Sequence, residues 1–121
     1  MKRTRRSQNY HRFKHKMNNL SSKDSLRLEL IKQMAFDLME KYEIENYKFK
    51  FGYSTKSLGS CSRTTITIQL NYALRSSLQN IENTILHEIA HAFLPIGVGH
   101  RIEWQNKAKE LGVIWTRNYH K

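Results

Sequence analysis

The segment from residue 81 to residue 95 has the least conformational choice of any in this chain. Ile81, Ile85, Ile89 and Phe93 recur at steps of four, which predicts a helix over Ile81–Leu94 with one buried stripe. Pro95 ends it, because the proline ring disfavours helical geometry at the residue before it. Inside this helix stands His87-Glu88-Ile89-Ala90-His91. Residues four apart on a helix project from the same face, so the two imidazoles can take adjacent corners of one zinc tetrahedron. Glu88 points aside from them, where it can take a proton from a zinc-activated water. With 6 His and 8 Glu in 121 residues, chance alone would produce about 0.02 such motifs, so coincidence explains the pattern poorly.

A catalytic zinc site uses three protein ligands and keeps one position open. His100 is the third candidate: Pro95, Gly97 and Gly99 lie between it and His91 and let the chain leave one helix, reverse, and present His100 at the start of the next. Glu103 is the competing ligand, but its spacing from His91 would force a very short connection. One Zn2+ per chain is therefore expected, on His87, His91 and His100. Trp104 and Leu111 fall at helical spacing and should pack the following helix, about His100 to Leu111, on the core, with Gly112 stopping it.

The remaining pattern supplies a scaffold. A helix from Ser21 to about Tyr42 is predicted by Leu26, Leu30, Met34 and Leu38 at steps of four, widened by Ile31, Ala35 and Met39. Aromatics alternate with lysines from Tyr47 to Tyr53, and Ile66, Ile68 and Leu70 alternate with Thr and Gln, so both segments read as strands. A polar stretch through Gly59, Ser60 and Ser62 separates them, and a loop is expected around Asn71 and Arg75. The class is α+β, with an N-terminal helix, a small antiparallel sheet, the helix bearing the two histidines, and a following helix.

Charge divides the chain unevenly. There are 21 Lys and Arg against 10 Asp and Glu, a net +11. Lys2, Arg3, Arg5, Arg6, Arg12, Lys14 and Lys16 give the first 16 residues +7 with no acid, leaving +4 for the rest. Residues 1–18 therefore read as a basic flexible arm, and 19–121 as the folded domain. Such a block is either a solvated arm or a contact for DNA or another nucleic acid, since its cations neutralise phosphates and Tyr10 and Phe13 can stack on unpaired bases. His11 and His15 belong to the arm, because a dication would be repelled there. No apolar run approaches the roughly 20 residues of a membrane span, and no apolar segment follows the charged N-terminus as a secretory signal requires. Cys61, the only cysteine, excludes an internal disulfide and fits an intracellular, cytoplasmic setting; it reads as a small buried side chain.

Several of these features occur together, and in order, in one family. Leu58-Gly59-Ser60-Cys61, the strand through Ile66 and Ile68, Thr84 to Ala92, Gly99-His100, Trp104 and Glu110-Leu111-Gly112 resemble the SprT-like metallopeptidase domain over about residues 20–112. Spartan-type proteases, which degrade proteins crosslinked to DNA, belong to the same family. The resemblance implies a compact zincin-like fold of minimal gluzincin type, with zinc on His87, His91 and His100 and Glu88 as catalytic base. The cysteine-rich zinc ribbon that follows the domain in many relatives is not expected within these 121 residues, since Cys61 is their only cysteine.

The expected activity is zinc-dependent endopeptidase cleavage of nucleic-acid-associated protein substrates. The strand through Thr65, Thr67 and Gln69, or the Gly59–Cys61 segment, would pair with the extended substrate backbone. Tyr72, Arg63 and Tyr119 are chemically suited to stabilise the oxyanion, with no spacing argument to separate them. The alternative is a nucleic-acid-binding or regulatory protein whose zinc is structural or catalytically disused; an intact Glu88 beside the ligands argues against it.

Overall fold

A computed structural model describes residues 5–95 and 99–114, with side chains from residue 11 onward. The elements in chain order are α1 (Arg5–Asn18), α2 (Ser22–Lys41), β1 (Lys48–Gly52), β2 (Gly59–Cys61), β3 (Thr65–Gln69), α3 (Leu70–Arg75), α4 (Leu78–Ala92) and α5 (Ile102–Leu111). The fold is α+β, and none of its described helices is long and apolar enough to cross a membrane.

The sheet is mixed rather than wholly antiparallel. Its order is β1-β3-β2, with β3 parallel to β1 and antiparallel to β2. The loop after β1 carries the chain across β3 before β2 begins, so β1 and β3 run the same way, whereas the short turn through Ser62 joins β2 and β3 as a hairpin. Alternation cannot report this, because both pairings present side chains with the same period of two. Phe49 pairs with Ile66 and Phe51 with Ile68 from one side, and Cys61 and Gly59 pair with the same two isoleucines from the other. These residues form the sheet's inner face, with Ile66 and Ile68 in the buried core. Lys48 and Lys50 are exposed on the opposite face.

Close packing limits one sheet position sharply. A Cβ at Gly52 would lie 2.2 Å from Oε1 of Gln69 and 2.7 Å from Cγ2 of Thr67. The Gln69 oxygen is already held there, accepting from the Ser54 amide at 3.0 Å.

On α2 the buried face is Leu28, Ile31, Ala35 and Met39. The expected leading stripe lies partly outside it: Leu26 is 71% exposed and Leu30 55%, with Met34 and Leu38 half-buried. Ser21 caps the helix by accepting from the Asp24 amide at 3.1 Å. At the other end Glu43 adopts φ 60°, and the Ile44 amide donates to the Met39 carbonyl at 2.8 Å while Glu43 donates to Glu40 at 3.0 Å. That is a left-handed helix stop with its apolar clasp, Ile44 and Met39 both being buried.

The segment expected as a flexible arm is helical over its described part. Phe13 on α1 packs against the core and lies 5.8 Å from the Tyr53 ring, and Lys16 donates to the Asn71 side chain. Lys2 and Arg3 lie outside the described residues. The loop expected around Asn71 is α3, anchored by Arg27 of α2, which donates to the carbonyls of Ala73 and Ser76.

Candidate active site

Two elements bring the chemistry together. Ser77 starts α4 by accepting from the Asn80 amide at 3.1 Å, and Ile81, Ile85 and Ile89 bury its core face completely. That anchoring carries His87 and Glu88 to 0% and 1% exposure. Phe93, expected on the same stripe, follows the end of the helix and is 39% exposed under Lys107, whose Nζ sits 4.2 Å from the ring centroid. The α5 segment brings up His100. Trp104 on its first turns is fully buried and donates from Nε1 to the His87 carbonyl at 3.4 Å, and Gln105 donates to the His100 carbonyl at 2.9 Å.

The three imidazoles converge. Nε2 of His100 lies 3.1 Å from Nε2 of both His87 and His91. The ring centroids form a near-equilateral triangle with sides of 5.1, 5.0 and 4.9 Å. Nitrogens bound at 2.0–2.1 Å to a tetrahedral zinc ion lie about 3.3 Å from one another, close to both of these Nε2 separations. The three imidazoles could hold a metal ion, and Glu103, the competing ligand, is exposed and outside the cluster. Glu88 stands next to the cluster without joining it, its Oε2 4.0 Å from Nε2 of His87.

Burial sets the proton affinities. It pushes the Glu88 carboxyl up to about 8. The Cys61 thiol is pushed up to about 12, first by burial and then by the neighbouring Glu88 charge. Desolvation lowers the pKa of His100, favouring the neutral imidazole that a metal requires.

These groups open on a cleft of about 620 Å3 bordered by Tyr47, Cys61, Arg63, Glu88, His91 and His100. β2 forms one wall, Gly59, Ser60 and Cys61 all lining the cleft. Of the two segments expected at the lip, β3 is excluded because it is paired on both sides and its Thr67 and Gln69 are buried.

A protein-family model, described as the SprT-like family, matches residues 27–120. The chain belongs to the SprT-like family. No curated protein and no solved structure matches it. Family membership indicates a metallopeptidase-like domain, and the histidine cluster of this SprT-like chain lies within the matched residues.

Two positions take a place beside the histidines that sequence reasoning did not assign them. Trp104 was legible as core, but it also backs the whole cluster, its ring 4.5, 5.2 and 4.7 Å from those of His87, His91 and His100. Its i+4 distance from His100 was the available signal. Tyr47 lines the cleft and donates to the Ala92 carbonyl at 3.4 Å, a contact between residues 45 apart that no local pattern announces. Of the oxyanion candidates, Arg63 is exposed at the cleft, Tyr72 is bonded instead to Thr84 at 2.8 Å and to the Asn80 carbonyl, and Tyr119 lies outside the described residues. Cys61, expected as a small buried side chain, is half-buried at the cleft wall.

Proposed function

We propose that this SprT-like chain is a zinc-dependent endopeptidase acting on proteins associated with nucleic acid. The observation that carries the reading is the convergence of His87, His91 and His100 with a buried carboxylate 4.0 Å away and outside the ligand cluster. Zinc held by those imidazoles would supply a Lewis acid that polarises the scissile carbonyl and acidifies water. Glu88 takes the proton of the attacking water and returns it to the leaving amine. Burial raises the proton affinity of that carboxyl, which suits it to receive the proton.

The rest of the cleft handles the substrate. The edge of β2 turned away from β3 offers main-chain donors and acceptors to an extended peptide, which gives affinity without demanding a particular sequence. Arg63, at the cleft and free of burial, is suited to hold the carbonyl oxygen as charge develops on it. Trp104 keeps the imidazole rings in register from behind. The partner reading rests on charge: Arg12, Lys14 and Lys16 on α1, with Lys2, Arg3, Arg5 and Arg6 before and at its start, form a block of +7 suited to phosphates.

Zinc analysis paired with a proteolysis assay on a DNA-bound protein tests the reading. About one zinc per chain is expected. Glu88→Gln keeps the metal and loses cleavage by at least about a hundredfold, and His91→Ala loses both. An undiminished rate in Glu88→Gln would overturn the mechanism. Full zinc occupancy without cleavage in the wild-type chain would favour a structural or disused site.

A further inference from the structure

A second cavity, of about 490 Å3, lies at the other end of the sheet from the histidines. Its walls come from α1, the segment after β1, and the start of α3, whereas the catalytic cleft is bordered by Tyr47 just before β1 and by the β2–β3 turn. The five residues of β1 separate the two ends by about 16 Å at about 3.3 Å per residue. The volume is within the range of pockets that take small molecules, roughly 300–1,000 Å3.

The lining has two characters. Phe13 and Tyr53, with rings 5.8 Å apart and tilted by 47°, stand with Leu74 as an apolar and aromatic surface. Arg12 and Lys16 bring positive charge to the same space, and Asp24 is the only acid in the lining. Lys16 and Asn71 are hydrogen-bonded to each other across the gap between α1 and α3, so an ammonium and an amide stand together there. A flat ring with an anion attached satisfies all of these: aromatic faces for the ring, an amide for its polar edge, cations for the anion.

We propose that this cavity binds one nucleoside phosphate unit, its base against Phe13 and Tyr53 and its phosphate on Arg12 and Lys16. The assignment rests on the reading of the chain as one that works beside nucleic acid, and it sharpens that reading: the contact is with an unpaired base and not only with backbone charge. A base stacked inside a duplex cannot enter such a cavity, so the pocket selects single strands. Because it is separate from the cleft, the nucleotide and the peptide do not compete for space.

The test uses the full chain loaded with zinc, a fluorescein-labelled 12-nucleotide thymidine strand, and a duplex of the same length at the same salt. The single strand is expected to bind about tenfold tighter than the duplex. Thr55→Trp, at an exposed position lining the cavity, should remove that preference and leave duplex binding and peptide cleavage unchanged. Thymidine monophosphate that displaces the strand, where inorganic phosphate at equal ionic strength does not, identifies a free nucleotide as a sufficient ligand. Displacement by unlabelled strand alone identifies a unit of a polymer, and either result supports the pocket. A 5-iodouracil strand irradiated with the wild-type chain should crosslink to Phe13 or Tyr53, which needs no variant. Equal affinity for strand and duplex, or crosslinks confined to other peptides, would overturn the proposal. No proteolysis by the zinc-loaded wild-type chain, with the strand preference intact, would instead overturn the protease reading and leave the pocket standing.

Discussion

Glu88, the proposed proton carrier, is buried, and that burial has a thermodynamic signature separate from catalysis. In the metal-free chain the folded carboxyl keeps its proton up to about pH 8, whereas the unfolded one releases it near its ordinary value of 4.5. Between those values the folded state binds more protons than the unfolded state, so stability falls as pH rises through that window. Glu88→Gln removes the titration. In the presence of chelator, thermal melts from pH 5 to pH 8 should show the wild-type chain losing melting temperature relative to Glu88→Gln, with the gap widening upward in pH. Parallel profiles would mean that the carboxylate is solvated. His100 titrates in both chains, so its contribution, of opposite sign, largely cancels in the comparison.

At the scale of elements, α2 separates pattern from packing. Ile31 is completely buried and Leu30 is 55% exposed, although both are branched aliphatic residues on one helix. Ile31→Ala should cost about 2–5 kcal/mol by leaving a cavity, and Leu30→Ala less than about 0.5 kcal/mol, as urea unfolding would measure. Comparable losses at the two positions would mean that the helix is rotated from the face described. The sequence made the helix itself legible, because its periodicity is strong, but apolar residues on two adjoining stripes left its rotation open. The α4 helix was more legible because its isoleucines occupy one stripe alone, and its two histidines are brought together by i, i+4 spacing without help from the rest of the fold. His100 needed only the turn signals of Pro95, Gly97 and Gly99. What escaped was set by long-range pairing. The parallel direction of β1 and the strand at Gly59–Cys61 follow from the β3 ladder, and the approach of Tyr47 to Ala92 depends on that placement. The helix α3 escaped for another reason: six residues are too few to display a period.

For the whole molecule, the described part of the basic segment is tied to the domain. Phe13 ties α1 to the core beside Tyr53, and Lys16 ties it to α3, so removing residues 1–16 would strip cover from the domain as well as charge from the chain. Charge should be tested at positions that leave the packing alone. Arg12 and Lys14 are exposed, and the double change to Gln should keep the melting temperature within about a degree or two. It should also make cleavage of DNA-bound substrate less sensitive to salt, the slope of the logarithm of binding against the logarithm of salt falling by about 0.7–0.9 for each phosphate no longer neutralised. An unaltered salt dependence would assign the nucleic-acid contact to another face. Joining α1 to the sheet's far end also gives the basic helix a fixed orientation toward the body that carries the histidines.

The crowding over Gly52 couples more than one position. A side chain at position 52 and the inward-folded Gln69 claim the same volume, and the Ser54 amide depends on the glutamine for its acceptor. A larger residue at 52 would require both the Gln69 side chain and the Thr67 methyl to give way, and a glutamine that moves leaves the Ser54 amide to find another acceptor.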